Sequence, residues 1–176
     1  MVAVTLAYGD IISVVTGAAT AVREELINVG CGDVNRFCPI VPGELAWDEC
    51  DCGLFAQTIT QSFPSNNFPT PASDSRQDTC GPKFFVINVN AYIIRCVPGP
   101  SDNGTSPSCV VLEDAAIQLE CDRQALRSGI TCYLRDLRNS YRIFDYSVGA
   151  TTVVGPQGGC AGVEISYQFA VTGICC

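Results

Sequence analysis

The chain has 176 residues, 47 % of them apolar and 16 % charged. That length suits one domain with a real core, and that balance excludes a disordered chain. The net charge is -8, with Lys83 the single lysine beside nine arginines; this argues against gripping a phosphate backbone, although an acidic wall can enclose DNA and let it slide.

Residues 1–9 are short and apolar and read as an arm or an edge strand. Asp10 is an N-cap candidate. Ile11, Val15, Ala18, Val22, Leu26 and Val29 follow at helical spacing, and Gly30 stops the helix. Cys31 to Glu44 is an irregular connection. Leu45 to Phe63 reads as extended, alternating best from Leu54 to Ile59. Residues 64–82 hold Pro64, Pro69, Pro71 and Pro82 among Asn, Ser and Asp, and read as an extended interaction loop. Lys83 to Cys96 is a strand. One face is Phe85, Ile87, Val89, Ala91 and Ile93. The other mixes Phe84, Val86, Tyr92 and Ile94 with Asn88 and Asn90. That half-apolar second face implies partial cover, for example by another subunit.

Val97 to Ser108 is a turn-rich linker. Leu112, Ala116, Leu119, Leu126, Ile130, Tyr133 and Leu137 keep helical register. Asp122 and Arg123 interrupt that row, and Ser128-Gly129 is a place for a kink. Arg142 to Val154 is strand-like, Gly155 to Gly159 is a turn, and Val163, Ile165, Tyr167, Phe169 and Val171 alternate with polar residues, which makes a hairpin. The sum is α+β over residues 1–176: a four-stranded antiparallel sheet, two helices packed on one face, and a long loop between the first two strands. No stretch is apolar enough to cross a membrane, since Ser13, Thr16, Gly17 and Thr20 interrupt the best one.

The absence of histidine removes Ser-His-Asp and Cys-His nucleophile systems and His-containing zinc sites. No phosphate-binding loop occurs, because Gly155 to Gly159 lies in a hairpin rather than before a helix. We expect no enzyme activity, no cofactor and no metal. Twelve cysteines would suggest disulfides in a small secreted chain. The N-terminus MVAVTLAYGD, however, has no basic n-region or apolar core typical of a leader. The expectation is a chain kept reduced in a cytoplasm, some of whose pairs oxidise later outside a cell. Cys50/Cys52 and Cys175/Cys176 lack zinc-site spacing, and Cys121 and Cys132 suit a role as small buried hydrophobes. Asp48, Glu49 and Asp51 form an acidic cluster, open to a calcium or catalytic reading but read as a solvated face or lumen wall. Glu113 and Asp114 read as helix-start acids. Arg135, Arg138 and Arg142 alternate with Asp136 and Asp145 as surface ion pairs. Phe63, Pro64, Phe68 and Pro69 are two Phe-Pro steps in a polar loop, folded back on the core or buried against a partner. They are the candidate subunit interface.

From Cys52 onward one pattern stands out: a strand, Phe68-Pro69, Cys80-Gly81-Pro82, an apolar strand ending Arg95-Cys96-Val97-Pro98, a helix with Ala125-Leu126, and the turn from Gly155 to Gly162. It resembles tail terminator proteins of long-tailed bacteriophages of actinobacteria. The resemblance implies a structural virion protein, assembled in the host cytoplasm as a hexameric ring at the head-proximal end of the tail. Its implied partners are further copies of itself, the tail tube protein and a head-tail connector or stopper protein. Genomic DNA would pass through the lumen without sequence-specific binding, and no membrane is involved. Ring closure would use heterologous interfaces. A neighbouring connector or tail tube protein is the alternative within this class. A secreted disulfide-rich binding domain is the alternative outside it.

Overall fold

The computed structural model describes residues 8–43, 52–72, 84–101 and 103–172. In chain order these form α1 (Tyr8–Asn28), β1 (Arg36–Cys38), β2 (Leu54–Ser65), β3 (Phe84–Cys96), α2 (Cys109–Asn139), β4 (Asp145–Gln157) and β5 (Cys160–Thr172). The strands make one five-stranded sheet of order β1-β2-β3-β5-β4. β1 pairs parallel with β2, and all other pairs are antiparallel.

The α+β class therefore stands, but the expected four-stranded antiparallel sheet does not. The sheet is mixed and has one more strand. β1 is three residues long and has no alternation to read. It exists because Arg36 N–H donates to Gly53 O (2.9 Å) and Val41 N–H donates to Gln57 O (2.7 Å), laying the segment along the start of β2. The long loop accordingly joins the second and third strands. Pro64 belongs to β2 rather than to the loop. Beyond Ala56, β2 is an edge strand, where a missing N–H is tolerated.

α1 buries Val14, Val15, Ala18, Ala19, Val22 and Leu26, and half-buries Ile11. Its β-branched composition is a poor helix former alone, so its stability comes from packing on α2. It ends as a Schellman motif: Gly30 takes φ +81°, Gly30 N–H donates to Ile27 O and Cys31 N–H to Leu26 O. α2 starts three residues earlier than its apolar row suggests, capped by Ser108 Oγ, which accepts from Val111 N–H. Glu113 and Asp114 thus lie past the first turn rather than at the helix start.

The helix is continuous through Ser128 and Gly129. Gly129 is there for contact, not for a kink. A Cβ on it would stand 2.8 Å from Val22 Cα and 2.9 Å from Val22 N, so the two antiparallel helices cross with almost no separation. Both helices lie on one face of the sheet. They share a core with Phe55, Ile87, Val89, Ala91, Ile93, Val163, Ile165, Phe169 and Val171, the two alternating rows expected for β3 and β5. The β4–β5 hairpin turns on Gly158 and Gly159 at positive φ, pairing Gln157 with Cys160.

Inside this core sits a polar chain. Tyr167 O–H donates to Gln57 Oε1 (2.8 Å), and Gln57 Nε2 donates to Val15 O (3.0 Å) and Pro39 O (3.1 Å). Burial pushes the Tyr167 phenol far above its ordinary range. Folded Tyr167 stays neutral at pH values where unfolded tyrosine, pKa about 10, ionises. Stability is therefore full below about pH 10 and falls above it, by about 1.4 kcal/mol per pH unit for one such group. Tyr167→Phe is expected to remove that group's share of the alkaline slope in urea titrations taken at pH 9, 10 and 11. An unchanged slope would show that the phenol reaches water.

Candidate functional site

The sheet face away from the helices has a polar central band. Register places Thr58, Gln61, Asn88, Asn90, Glu164, Ser166, Gln168, Ser147 and Thr152 on its central band. Their side chains bond to one another. Asn90 Nδ2 donates to Glu164 Oε1 (2.9 Å) and Tyr92 Oη (3.3 Å), Ser166 Oγ donates to Asn90 Oδ1 (2.8 Å), and Asn88 Nδ2 donates to Gln61 Oε1 (3.4 Å). Asn88 Oδ1 is buried without a hydrogen-bond partner. Across β2, β3, β4 and β5 this face has no lysine or arginine. Arg95, the one cation in those strands, points to the helix side. The band therefore offers uncharged donors and acceptors and one carboxylate, and no cation to neutralise a phosphate.

Apolar patches bound the band at both ends. At one end Leu54, Ala56, Ile94 and Cys160 are buried with Cys38, Val41 and Tyr92 against them. At the other end Phe63 lies opposite Val86, and Phe84 stacks on Phe144 with ring centroids 3.9 Å apart; Phe144 remains 51 % exposed. Residues 66–72 fold back beside this end. Ser65 Oγ donates to Thr70 O (2.6 Å), and Ala72 N–H donates to Pro64 O (2.9 Å). The peptide bond between Phe68 and Pro69 is cis.

Of the expected interface residues, Phe63 and Pro64 are strand residues, and Phe68 is half-buried with Pro69 exposed. They do fall at one end of the molecule, together with Phe84 and Phe144, which had not been singled out for that role. Asp48, Glu49 and Asp51 lie outside the described residues, as do residues 1–7 of the expected arm. Arg138 pairs with Asp145 (3.3 Å) and Arg135 with Asp136 (3.6 Å), as their interleaving suggests. Among the described residues, no group of three or more Cys, Asp or Glu side chains could hold a metal ion. No described helix is long and apolar enough to cross a membrane.

The opposite end of the sheet is stapled, and here the reading of the cysteines as buried thiols fails. Cys31 and Cys121 form a disulfide, Cys52 and Cys96 form another, and Cys160, opposite Cys96 in register, is also disulfide-bonded. Cys132 is exposed on α2 rather than buried, and Cys38 and Cys109 are free thiols as well. The bonds close loops of sequence separation 90 and 44. Each alone removes about 4 kcal/mol of unfolded-state entropy, less in combination because one loop lies inside the other. Spacing along the chain cannot show that these cysteines meet, since the pairs are brought together by the sheet and by α1 on α2.

Around the first disulfide lies a charge network that the apolar row of α2 concealed. Asp122 is fully buried. Arg95 Nε donates to its Oδ2 (2.9 Å) and Arg95 Nη2 to its Oδ1 (2.8 Å). Arg95 also donates to Asp33 O and Gly32 O, and Gln118 Nε2 donates to Cys31 O (2.8 Å) and Asp122 Oδ1 (3.1 Å). On the surface beside it, Arg23 holds Asp33 through three hydrogen bonds of 2.6, 3.0 and 3.1 Å. They keep that carboxyl below the usual range. These groups face one another, and the arrangement clamps structure rather than exposing a reactive atom. The chain matches no protein-family model and no curated protein.

Proposed function

We propose that the protein is a structural subunit of a bacteriophage virion. In this reading it forms a ring at the head-proximal end of the tail tube, bridges tail and connector, and lets DNA pass through the lumen. The observation that carries this reading is the helix-free sheet face, on which the four long strands place no lysine or arginine and whose central band is polar with one carboxylate. Such a wall would pass a duplex without holding it.

The test is native mass and negative-stain imaging of the purified protein. The expected result is a closed ring that does not shift a DNA duplex at low salt. A monomer, or tight salt-sensitive DNA binding, sinks the proposal. Within the ring reading, Phe68→Ala with Pro69→Ala is expected to weaken ring assembly or docking to the tube; unchanged rings and unchanged particle yield would remove the loop from the interface.

A second reading draws on the disulfides, which suit a secreted binding domain. In that case the protein is monomeric and absent from particles, so the same images separate the two.

A further inference from the structure

We infer that the Cys31–Cys121 disulfide is a lock set after folding: the chain reaches its native arrangement with both thiols reduced, and oxidation then closes the bond. The inference rests on the contacts around the bond and holds whether or not the protein forms a ring. Gly30 and Cys31 are placed by the Schellman hydrogen bonds to Ile27 O and Leu26 O. Cys31 O accepts from Gln118, and Gly32 O and Asp33 O accept from Arg95. On the other strand of the link, Asp122 is held by the same Arg95 and the same Gln118. Every residue from 30 to 33, and the neighbour of Cys121, is thus fixed by bonds that involve no sulfur. They bring the two Cα atoms to 5.7 Å, a separation at which a disulfide forms without backbone movement.

Burial distinguishes this bond from its companion. Cys31 is buried and Cys121 partly so, whereas Cys52 and Cys96 are both exposed. In the folded, reduced protein the exposed pair should exchange first. The Cys31–Cys121 pair should close more slowly, because its thiols are less accessible to the oxidant. The oxidant is a low-molecular-weight disulfide. The more accessible Cys121 thiolate attacks one of its sulfurs and expels a thiolate, forming a mixed disulfide. Cys31 loses its proton to solvent, attacks Cys121 Sγ and expels the second thiolate. Two protein thiols are oxidised and one small disulfide is reduced to two thiols. Such a lock suits a chain that folds in a reducing compartment and works outside it.

The experiment uses the full chain. Near-UV circular dichroism in excess phosphine reductant reads the reduced fold, and mass spectrometry in graded glutathione buffers reads each bond. The reduced wild type is expected to keep its near-UV spectrum. Gln118→Leu removes two of the positioning hydrogen bonds on a partly buried side chain. It is expected to lower the effective molarity of the Cys31 and Cys121 thiols by about tenfold while leaving Cys52–Cys96 unchanged. Arg95→Met with Asp122→Leu, which keeps the core filled, should lower it further. If the double variant does not fold, Gln118→Leu alone decides. Loss of the near-UV spectrum on reduction, or a Cys31–Cys121 equilibrium unmoved by Gln118→Leu, overturns the inference.

Discussion

Asp122→Ala is expected to destabilise the fold by about 3–5 kcal/mol. The Asp122 side chain is fully buried, and that of Arg95 is 12 % exposed. Removing the carboxylate leaves a guanidinium in the interior with no counter-charge, and frees the Gln118 amide from one of its acceptors. Arg95, which donates to Gly32 O and Asp33 O, and Gln118, which donates to Cys31 O, would both lose the carboxylate that anchors them. Arg95→Met with Asp122→Leu is expected to recover most of the loss, because replacing both members of a buried pair with apolar side chains is often neutral or better. Urea unfolding with the disulfides intact measures both. A loss under about 1 kcal/mol for Asp122→Ala would mean that water reaches the pair and that the clamp contributes little.

Gly129→Leu is the second large effect, expected to cost about 3 kcal/mol or more. The atoms nearest a Cβ at this position are Val22 Cα, Val22 N and Ala21 O, all backbone, at 2.8, 2.9 and 3.0 Å. Rotamer changes cannot relieve that clash, so α1 must move off α2. Gly129→Ala is expected to cost about 1–3 kcal/mol even though alanine improves helix propensity by up to about 1 kcal/mol. Gly17 is an informative control. Its obstacle is the far end of Tyr133, a side chain able to swing aside, so Gly17→Ala should cost less than Gly129→Ala. Thermal melts of the three variants give the order. Equal melting temperatures for Gly129→Ala and the wild type would rule out the close crossing.

Apolar side chains are exposed at two ends of the molecule. Residues 109–117 of α2 run past the last of α1 with no residue buried, and Val110 and Ile117 are 66 % and 62 % exposed. Phe84, Phe144 and the half-buried Phe68 mark the other end. Of these residues only Phe68 was legible as a surface candidate in the chain. Val110 and Val111 fall between the linker that ends at Ser108 and the apolar row that starts at Leu112. Phe84 looks like one more apolar strand residue until register sets it beside Phe144.

What periodicity alone determined is the set of long elements and their buried faces. Val15, Ala18, Val22 and Leu26 recur every three or four residues. Ile87 to Ile93 and Val163 to Val171 alternate. These patterns depend only on neighbours in sequence, because a helix or a half-buried strand repeats its environment at a fixed interval. The tertiary structure decided everything that joins residues far apart in the chain. It made a strand of Arg36–Cys38 by offering the edge of β2, and turned Gly129 from a suspected kink into a helix crossing. It also turned Asp122 from an interruption into the partner of Arg95, and four cysteines into two disulfides. No local pattern encodes those partners. Each arises where two segments, separately specified by burial of their apolar faces, are pressed together by the same core.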